Sequence, residues 1–185
     1  KSELAGCLEL ADPKLVFVSE RHAGLLERAG GASRTIAIGD DYERRLARAS
    51  DSVPPIQAEP EDGLTLLFTS GTTGRAKGAV ISHRAMFARA GCFTSEFGVP
   101  VGDNFVAWAP LYHMASTDQG LATLLRGGTV HVVDGYDPDR LIEVLERERM
   151  QWFILMPGMV GEFATLLRDR KVTVKGVGCC GAMAD

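Results

Sequence analysis

Short, continuous apolar runs alternate with helical patterns along almost the whole chain. Runs such as residues 15–18, 105–108 and 152–155 have the length of strands and are too short for helices. Between them lie helical patterns such as residues 20–30, where apolar side chains recur at i, i+3, i+4 and i+7. Strands that are apolar throughout are typical of parallel sheets covered on both faces. The sequence therefore predicts an α/β fold, with a layered, mainly parallel sheet and helices on both faces.

The same pattern predicts the order of the elements and a division of the chain. Predicted strands cover residues 15–18, 35–38, 64–68, 79–81, 105–108, 130–133, 152–155 and 172–177. Predicted helices cover residues 2–12, 20–30, 41–49, 82–97 and 115–126, and two more begin at Asp137-Pro138 and at Pro157. Residues 51–63 hold three prolines and several acids, which predicts an exposed linker. We expect an α/β segment at residues 1–50 and a second α/β subdomain at residues 64–185.

Composition and charge exclude several classes of partner. A chain of 185 residues with 45% hydrophobic residues has ample material for a core. Its net charge of −4 gives no basic field, which argues against nucleic acid as a partner. No apolar stretch is long enough to predict a transmembrane segment. The chain begins without Met and stops just after a predicted strand, so we expect it to be part of a longer protein.

The four cysteines carry no metal-binding or redox spacing. Cys7, Cys92, Cys179 and Cys180 form no Cys-x-x-Cys pair, which argues against zinc and a dithiol site. Free thiols and the absence of a signal peptide pattern predict a reducing, cytoplasmic location.

Residues 69–78 form a run rich in glycine and hydroxyl side chains directly after the predicted strand at 64–68. Glycine lets the backbone turn with positive φ, and consecutive N–H groups in such a turn bind anions. The hydroxyl groups add donors, and a lysine adds a compact positive charge suited to phosphate. The run therefore predicts a phosphate-binding loop. Its candidate ligands are Thr69, Ser70, Gly71, Thr72, Thr73, Gly74 and Lys77.

This loop differs from the Walker A loop, in which a glycine precedes the lysine and a serine or threonine follows it. Here Lys77 lies three residues after Gly74 and is followed by Gly78. No hydroxyl beside the lysine is placed to hold magnesium, so the metal ligands are expected elsewhere.

Three segments together resemble the adenylate-forming superfamily, which includes acyl-CoA synthetases, peptide-synthetase adenylation domains and beetle luciferases. Residues 69–78 resemble its signature Thr-Ser-Gly-Thr-Thr-Gly-x-Pro-Lys-Gly, with Ala76 in place of proline. Residues 110–113, Pro-Leu-Tyr-His, resemble the Pro-Leu-x-His segment of acyl-CoA synthetases, where adenylation domains usually have Phe-Asp. Residues 177–183 resemble the third segment, Gly-Gly-Ala-Pro, at Gly181 and Ala182. There Cys180 and Met183 depart from the family pattern and would reshape the pocket floor.

The resemblance implies part of the N-terminal domain of an acyl-CoA synthetase, an acid–thiol ligase typical of fatty acid metabolism. Such an enzyme joins a small-molecule carboxylic acid to the AMP part of ATP and then passes the acyl group to coenzyme A. The implied cofactors are ATP, Mg2+ and coenzyme A. The implied partner is the rest of the parent enzyme, including a mobile C-terminal domain, so the chain alone is expected to be inactive.

The resemblance also assigns roles to residues of this sequence. Lys77 and His113 are the implied catalytic residues, with Lys77 on the phosphates and His113 positioning the carboxylate. Gly181 and Ala182 would bind ATP near the adenine ring, while the loop residues would bind its phosphates. The acid would contact His113, Met114 and Ser116. No metal ligand is assigned.

Three alternatives remain open at this point. His113 has a structural interpretation, as a histidine that caps a turn or is satisfied in the core. The enzyme could load a carrier protein rather than coenzyme A. The chain could also be a non-catalytic module that binds a nucleotide or a protein partner.

Overall fold

The computed structural model describes residues 3–69, 77–172, 174 and 176–179. Its helices are α1 Glu3–Ala11, α2 Glu20–Arg28, α3 Asp40–Arg48, α4 His83–Ser95, α5 Met114–Leu125, α6 Pro138–Arg147 and α7 Val160–Leu167. Its strands are β1 Val16–Ser19, β2 Thr35–Ile38, β3 Gly63–Thr69, β4 Lys77–Ser82, β5 Phe105–Ala107, β6 Val130–Val132, β7 Trp152–Leu155 and β8 Gly176–Cys179. Each predicted helix and strand has a counterpart in this order.

Within the described residues the strands pair two by two, and three of the pairs are parallel. β1 pairs with β2, β5 with β6, and β7 with β8, each pair being joined through one helix. β3 and β4 form the remaining pair. Parallel neighbours need such a crossover connection, which is why each helical pattern in the sequence separates two apolar runs. The predicted α/β class is confirmed.

The chain divides into two compact units, residues Lys1–Ile81 and Ser82–Asp185. The predicted linker lies within the first unit, where residues 50–62 contain neither helix nor strand. That this stretch joins two domains stays a prediction.

The first unit carries little buried apolar surface among its described residues. Leu26 and Leu67 are its buried hydrophobic side chains, with 6% and 8% of their surface exposed. Phe17 and Tyr42 pack edge to face, with their ring centroids 5.9 Å apart. The aromatic pair joins α3 to β1.

The second unit holds the main hydrophobic core. β5, β7 and the apolar faces of α6 and α7 meet there, in agreement with the 3.6-residue spacing of apolar side chains in the two helices. The fully buried side chains of this core include Val106, Leu141, Leu145, Met150, Phe153 and Phe163.

Local signals in the sequence mark several helix ends correctly. The Ser82 hydroxyl accepts a hydrogen bond from the Ala85 N–H at 3.2 Å, so it caps α4 at the place where the predicted helix 82–97 begins. Gly127 has φ of +75° just after α5, the left-handed conformation expected at a helix C-terminus.

Two predicted boundaries are wrong. α7 begins at Val160 rather than at Pro157, because Gly158 takes φ of +86° and so cannot belong to a right-handed helix. The last strand covers Gly176–Cys179 rather than residues 172–177, since its register places Gly176 opposite Trp152.

None of the helices in the described part of the chain is both long enough and apolar enough to cross a bilayer.

Candidate functional site

The predicted phosphate loop leaves one strand and enters its neighbour. Thr69 ends β3 and Lys77 begins β4, and both residues are exposed. Residues 70–76 lie outside the described residues, and so do the candidate ligands among them. β3 and β4, the strands that flank the run in the sequence, are hydrogen-bonded neighbours. Of the candidate ligands, the structure thus describes Thr69 and Lys77, which lie on two paired strands.

Gly78 has a packing role that the sequence did not reveal. A Cβ atom at this position would lie 2.8 Å from Leu66 Cδ1 and 3.4 Å from Leu10 Cδ2. Contacts under 3.0 Å force atoms to move, so the last glycine of the run lets β4 pack against the side chain of Leu66.

His113 lies at the carboxyl end of β5, at the start of α5. It is exposed, with extended backbone angles, and is the N-cap residue of the helix. Its Nδ1 accepts a hydrogen bond from the Ala115 N–H at 3.1 Å. Its backbone N–H donates to the Pro110 carbonyl at 2.9 Å, which closes the preceding turn.

This capping bond fixes the chemistry of the imidazole. An Nδ1 that accepts an N–H bond carries no proton, so the neutral ring carries its proton on Nε2. His113 can therefore donate one hydrogen bond, from Nε2, to a ligand. Carboxylate and phosphate oxygens accept such a bond. The structural interpretation of His113 and the functional one are both compatible with this geometry, since they use different nitrogens.

The two other predicted acid-binding residues differ in their surroundings. Met114 is half-buried and is the first residue of α5. Ser116 is 1% exposed, and its hydroxyl donates to the Ala109 carbonyl at 2.7 Å. Contact of either residue with an acid stays a prediction.

An aromatic pair that the sequence reasoning missed lies beyond the ends of β5 and β6. Trp108 follows β5 directly and donates from Nε1 to the Ile154 carbonyl at 2.6 Å. The ring of Tyr136 packs against its indole, with centroids 5.4 Å apart. The available signal was that Trp108 ends one predicted strand and Tyr136 follows another, because ligands bind at that edge of a parallel sheet.

Tyr136 has an unusual hydroxyl group. It is shielded from solvent and lacks a hydrogen-bond partner within the described part of the chain. Burial raises the pKa of this phenol, and the negative charge of Glu162 adds to the increase. The phenol thus remains a neutral group at physiological pH.

The two remaining predicted nucleotide ligands follow the last strand in the sequence. β8 ends at Cys179, and Gly181 and Ala182 lie outside the described residues. No group of three or more potential metal ligands occurs among the residues that the structure describes. Lys77 belongs to the first unit and His113 to the second.

Comparison with known proteins agrees with the family resemblance of residues 69–78, 110–113 and 177–183. The indoleacetate–CoA ligase of Aromatoleum aromaticum is 30% identical over 164 residues, which cover 82% of this chain and 32% of that enzyme. The feruloyl-CoA synthase of an Amycolatopsis species is 30% identical over 164 residues, covering 88% of this chain and 32% of the enzyme. The chain thus spans about a third of the length of these curated relatives.

A solved structure shares the fold. The inhibitor-bound N-terminal domain of FACL13 from Mycobacterium tuberculosis superposes with a TM-score of 0.87 at 21% identity. The match covers 99% of this chain and 48% of that one. A family model for AMP-binding enzymes matches residues 1–184. Since this match covers nearly the entire sequence, the chain belongs to the AMP-binding enzyme family.

Proposed function

We propose that this chain is the phosphate-binding part of an ATP-dependent carboxylate–CoA ligase. In the first step a carboxylate oxygen bonds to the α-phosphorus of ATP, and the bond from that phosphorus to pyrophosphate breaks. In the second step the thiolate sulfur of coenzyme A bonds to the acyl carbon, and AMP leaves. The observation that carries the proposal is the run at residues 69–78, positioned between the neighbouring strands β3 and β4.

The loop would bind the leaving pyrophosphate. A carboxylate that attacks a polyanion needs the charge of its partner neutralised and its geometry fixed. Lys77 supplies a charge, and Thr69 and the hydroxyls of residues 70, 72 and 73 supply donors. Mg2+ would arrive with ATP, with its protein ligands outside this chain.

The turn at His113 would position the carboxylate of the acid. The Nε2–H of the capped ring is a neutral donor. It would hold a carboxylate oxygen in place without neutralising the negative charge with which that oxygen attacks phosphorus. Met114, the neighbouring residue, would contact the acyl part. Gly181 and Ala182 would let the backbone approach the adenine ring closely.

The acid is a small-molecule carboxylate, and aryl acids are as strong a candidate as fatty acids. The indoleacetate–CoA ligase and the feruloyl-CoA synthase above act on acids with aromatic rings.

We also propose a reducing cytoplasm as the compartment, because Cys7 and Cys92 are free thiols. The rest of the parent enzyme, with its mobile C-terminal domain, is the proposed partner.

The proposal is tested by carboxylate-dependent ATP–pyrophosphate exchange in the full-length protein, across a panel of fatty and aryl acids. We expect exchange with at least one acid. Lys77→Ala should slow that exchange by roughly a hundredfold, the scale of losing one well-placed charged group, with the ranking of the acids unchanged.

The matched control is Lys14→Ala, which removes another exposed lysine of the first unit. It should leave the exchange rate near that of the wild type. A folded wild-type protein without exchange for any acid would favour the non-catalytic alternative. Acyl transfer to a carrier protein but not to coenzyme A would favour the carrier-loading one.

A further inference from the structure

The turn that carries His113 is held by a dense set of local hydrogen bonds. The Ser116 and Thr117 N–H groups both donate to the His113 carbonyl, at 3.1 and 3.2 Å. Together with the bond from the His113 N–H to the Pro110 carbonyl, they define the backbone of the turn. They do not by themselves attach the turn to the sheet.

Ser116 provides that attachment. Its hydroxyl donates to the carbonyl of Ala109, the second residue after β5, at 2.7 Å. Ser116 is 1% exposed and Ala109 is 5% exposed, so water does not compete for this bond. The bond links the first turn of α5 to the chain segment that leaves the buried strand β5, across the loop that contains His113.

Thr117 adds a second attachment within the same loop. Its hydroxyl donates to the carbonyl of Leu111 and lies 3.2 Å from that of His113. Thr117 is half-buried, in contrast to the fully buried Ser116. Two hydroxyls in consecutive positions therefore fix the loop at two carbonyls before His113.

The orientation of the imidazole depends on this arrangement. The ring is held at Nδ1 by the Ala115 N–H, whose place is set by the first turn of α5. If that turn moves away from Ala109, the N–H moves with it and the capping bond weakens. The ring is then free to rotate and to carry its proton on either nitrogen.

We propose that Ser116 is a positioning residue that acts through His113. Its buried hydroxyl sets the place of the α5 N-terminus, which in turn holds His113 as an Nε2–H donor aimed outward from the turn. Ser116 thus serves the reaction without touching the acid. The proposal rests on the proposed function only in assigning the carboxylate as the group that His113 meets.

The first experiment is a double-mutant cycle on ATP–pyrophosphate exchange in the full-length protein. Ser116→Ala should lower kcat roughly tenfold to a hundredfold, with the KM for ATP unchanged, as expected when a reacting group is misplaced. In a His113→Ala background the same change should alter kcat by less than about twofold. Equal losses in both backgrounds would show that Ser116 acts independently of His113 and would overturn the proposal.

Two further variants separate positioning from general destabilisation. Ser95→Ala is the matched control, because it also deletes a serine hydroxyl that donates to a backbone carbonyl, Gly91 at 3.1 Å, but on the exposed side of α4. Its kcat should match that of the wild type when introduced alone, and that of His113→Ala when introduced into that background. Ser116→Thr retains the hydroxyl and should restore most of the lost rate. If Ser116→Ala does not fold, Ser116→Cys takes its place in the cycle, because a thiol is only a weak hydrogen-bond donor.

A second experiment reads the ring directly and does not depend on activity. The full-length protein is labelled with 15N-histidine, and the His113 signals are assigned by their loss in His113→Gln. In the wild type the neutral ring should be the Nε2–H tautomer, and in Ser116→Ala a mixture of the two neutral tautomers. An identical spectrum in the two proteins would overturn the proposal even if exchange is observed. A wild type without exchange would remove the proposed function, while the spectra would still decide the role of Ser116.

Discussion

His113 shows how one side chain can meet a structural and a chemical requirement together. Its Nδ1 satisfies one of the backbone N–H groups that every helix leaves unpaired at its N-terminus. The other nitrogen remains available as a donor. The capping interpretation and the catalytic interpretation of this histidine are therefore not exclusive, which the sequence alone could not show.

Gly128 is a residue whose small size the fold requires. We predict that Gly128→Ala destabilises the second unit by about 3 kcal/mol or more, above the usual cost of overpacking. A Cβ atom there would lie 2.0 Å from the carbonyl oxygen of Asp103, and that backbone atom cannot move as the end of a side chain can. Chemical denaturation of the full-length protein gives the measurement.

The matched control for this prediction is Gly91→Ala. Gly91 lies inside α4, and a Cβ atom there would meet nothing within 4 Å. Alanine should stabilise that helix by roughly 0.5–1 kcal/mol, because it restricts the unfolded chain more than glycine does. Similar unfolding midpoints for the two variants would contradict the assigned contact.

At the scale of elements, α6 combines a side-chain cap with an apolar face. In α6 the Asp137 carboxylate accepts a hydrogen bond from the Arg140 N–H at 3.2 Å, and Pro138 occupies the first turn. The face behind this cap buries Leu141 and Leu145 completely in the core. Loss of the cap should therefore weaken the helix that covers β5 and β7.

We predict that Asp137→Ala lowers the free energy of unfolding by about 1 kcal/mol, the usual value of an N-cap. Asp137→Asn should retain nearly all of the stability, since its side-chain oxygen can accept the same bond. Thermal unfolding of the full-length protein checks both. If the two variants were equally destabilised, the ion pair of Asp137 with Arg140 Nε, 3.5 Å apart, would be the main contribution instead.

At the scale of the whole molecule, the buried apolar side chains of the described residues are concentrated in the second unit. Phe153 is fully buried at the centre of β7 and packs against the ring of Phe163, with centroids 5.4 Å apart. Phe87 lies on α4 in the same unit but is 59% exposed. The two phenylalanines thus differ in burial while sharing their chemistry.

We predict that Phe153→Ala destabilises the full-length protein by roughly 3–5 kcal/mol, the cost of an aromatic cavity in a close-packed core. Phe87→Ala should cost much less, because most of its ring is already in contact with water. Denaturant titration measures both. A small effect of Phe153→Ala would show that the core described here does not control the unfolding of the second unit.

The sequence by itself determined the order of helices and strands, the caps at Ser82 and Asp137, and the place of the candidate loop. These features depend on the local spacing of apolar side chains and on residues that bond within one turn, so a linear pattern records them. The predicted start of α7 was wrong because the positive φ angle of Gly158 cannot be predicted from the local pattern of residues.

Only the tertiary structure decided which strands pair and which polar side chains are buried. Asp118 looks like an ordinary surface carboxylate in the sequence, yet it is 2% exposed and lies 3.0 Å from Arg89 Nε on α4. In the same way, Ser116 meets Ala109, and Trp108 meets the carbonyl of Ile154 in another strand. Such contacts join groups that are brought together when buried surfaces are packed, and packing depends on the whole arrangement rather than on neighbours along the chain.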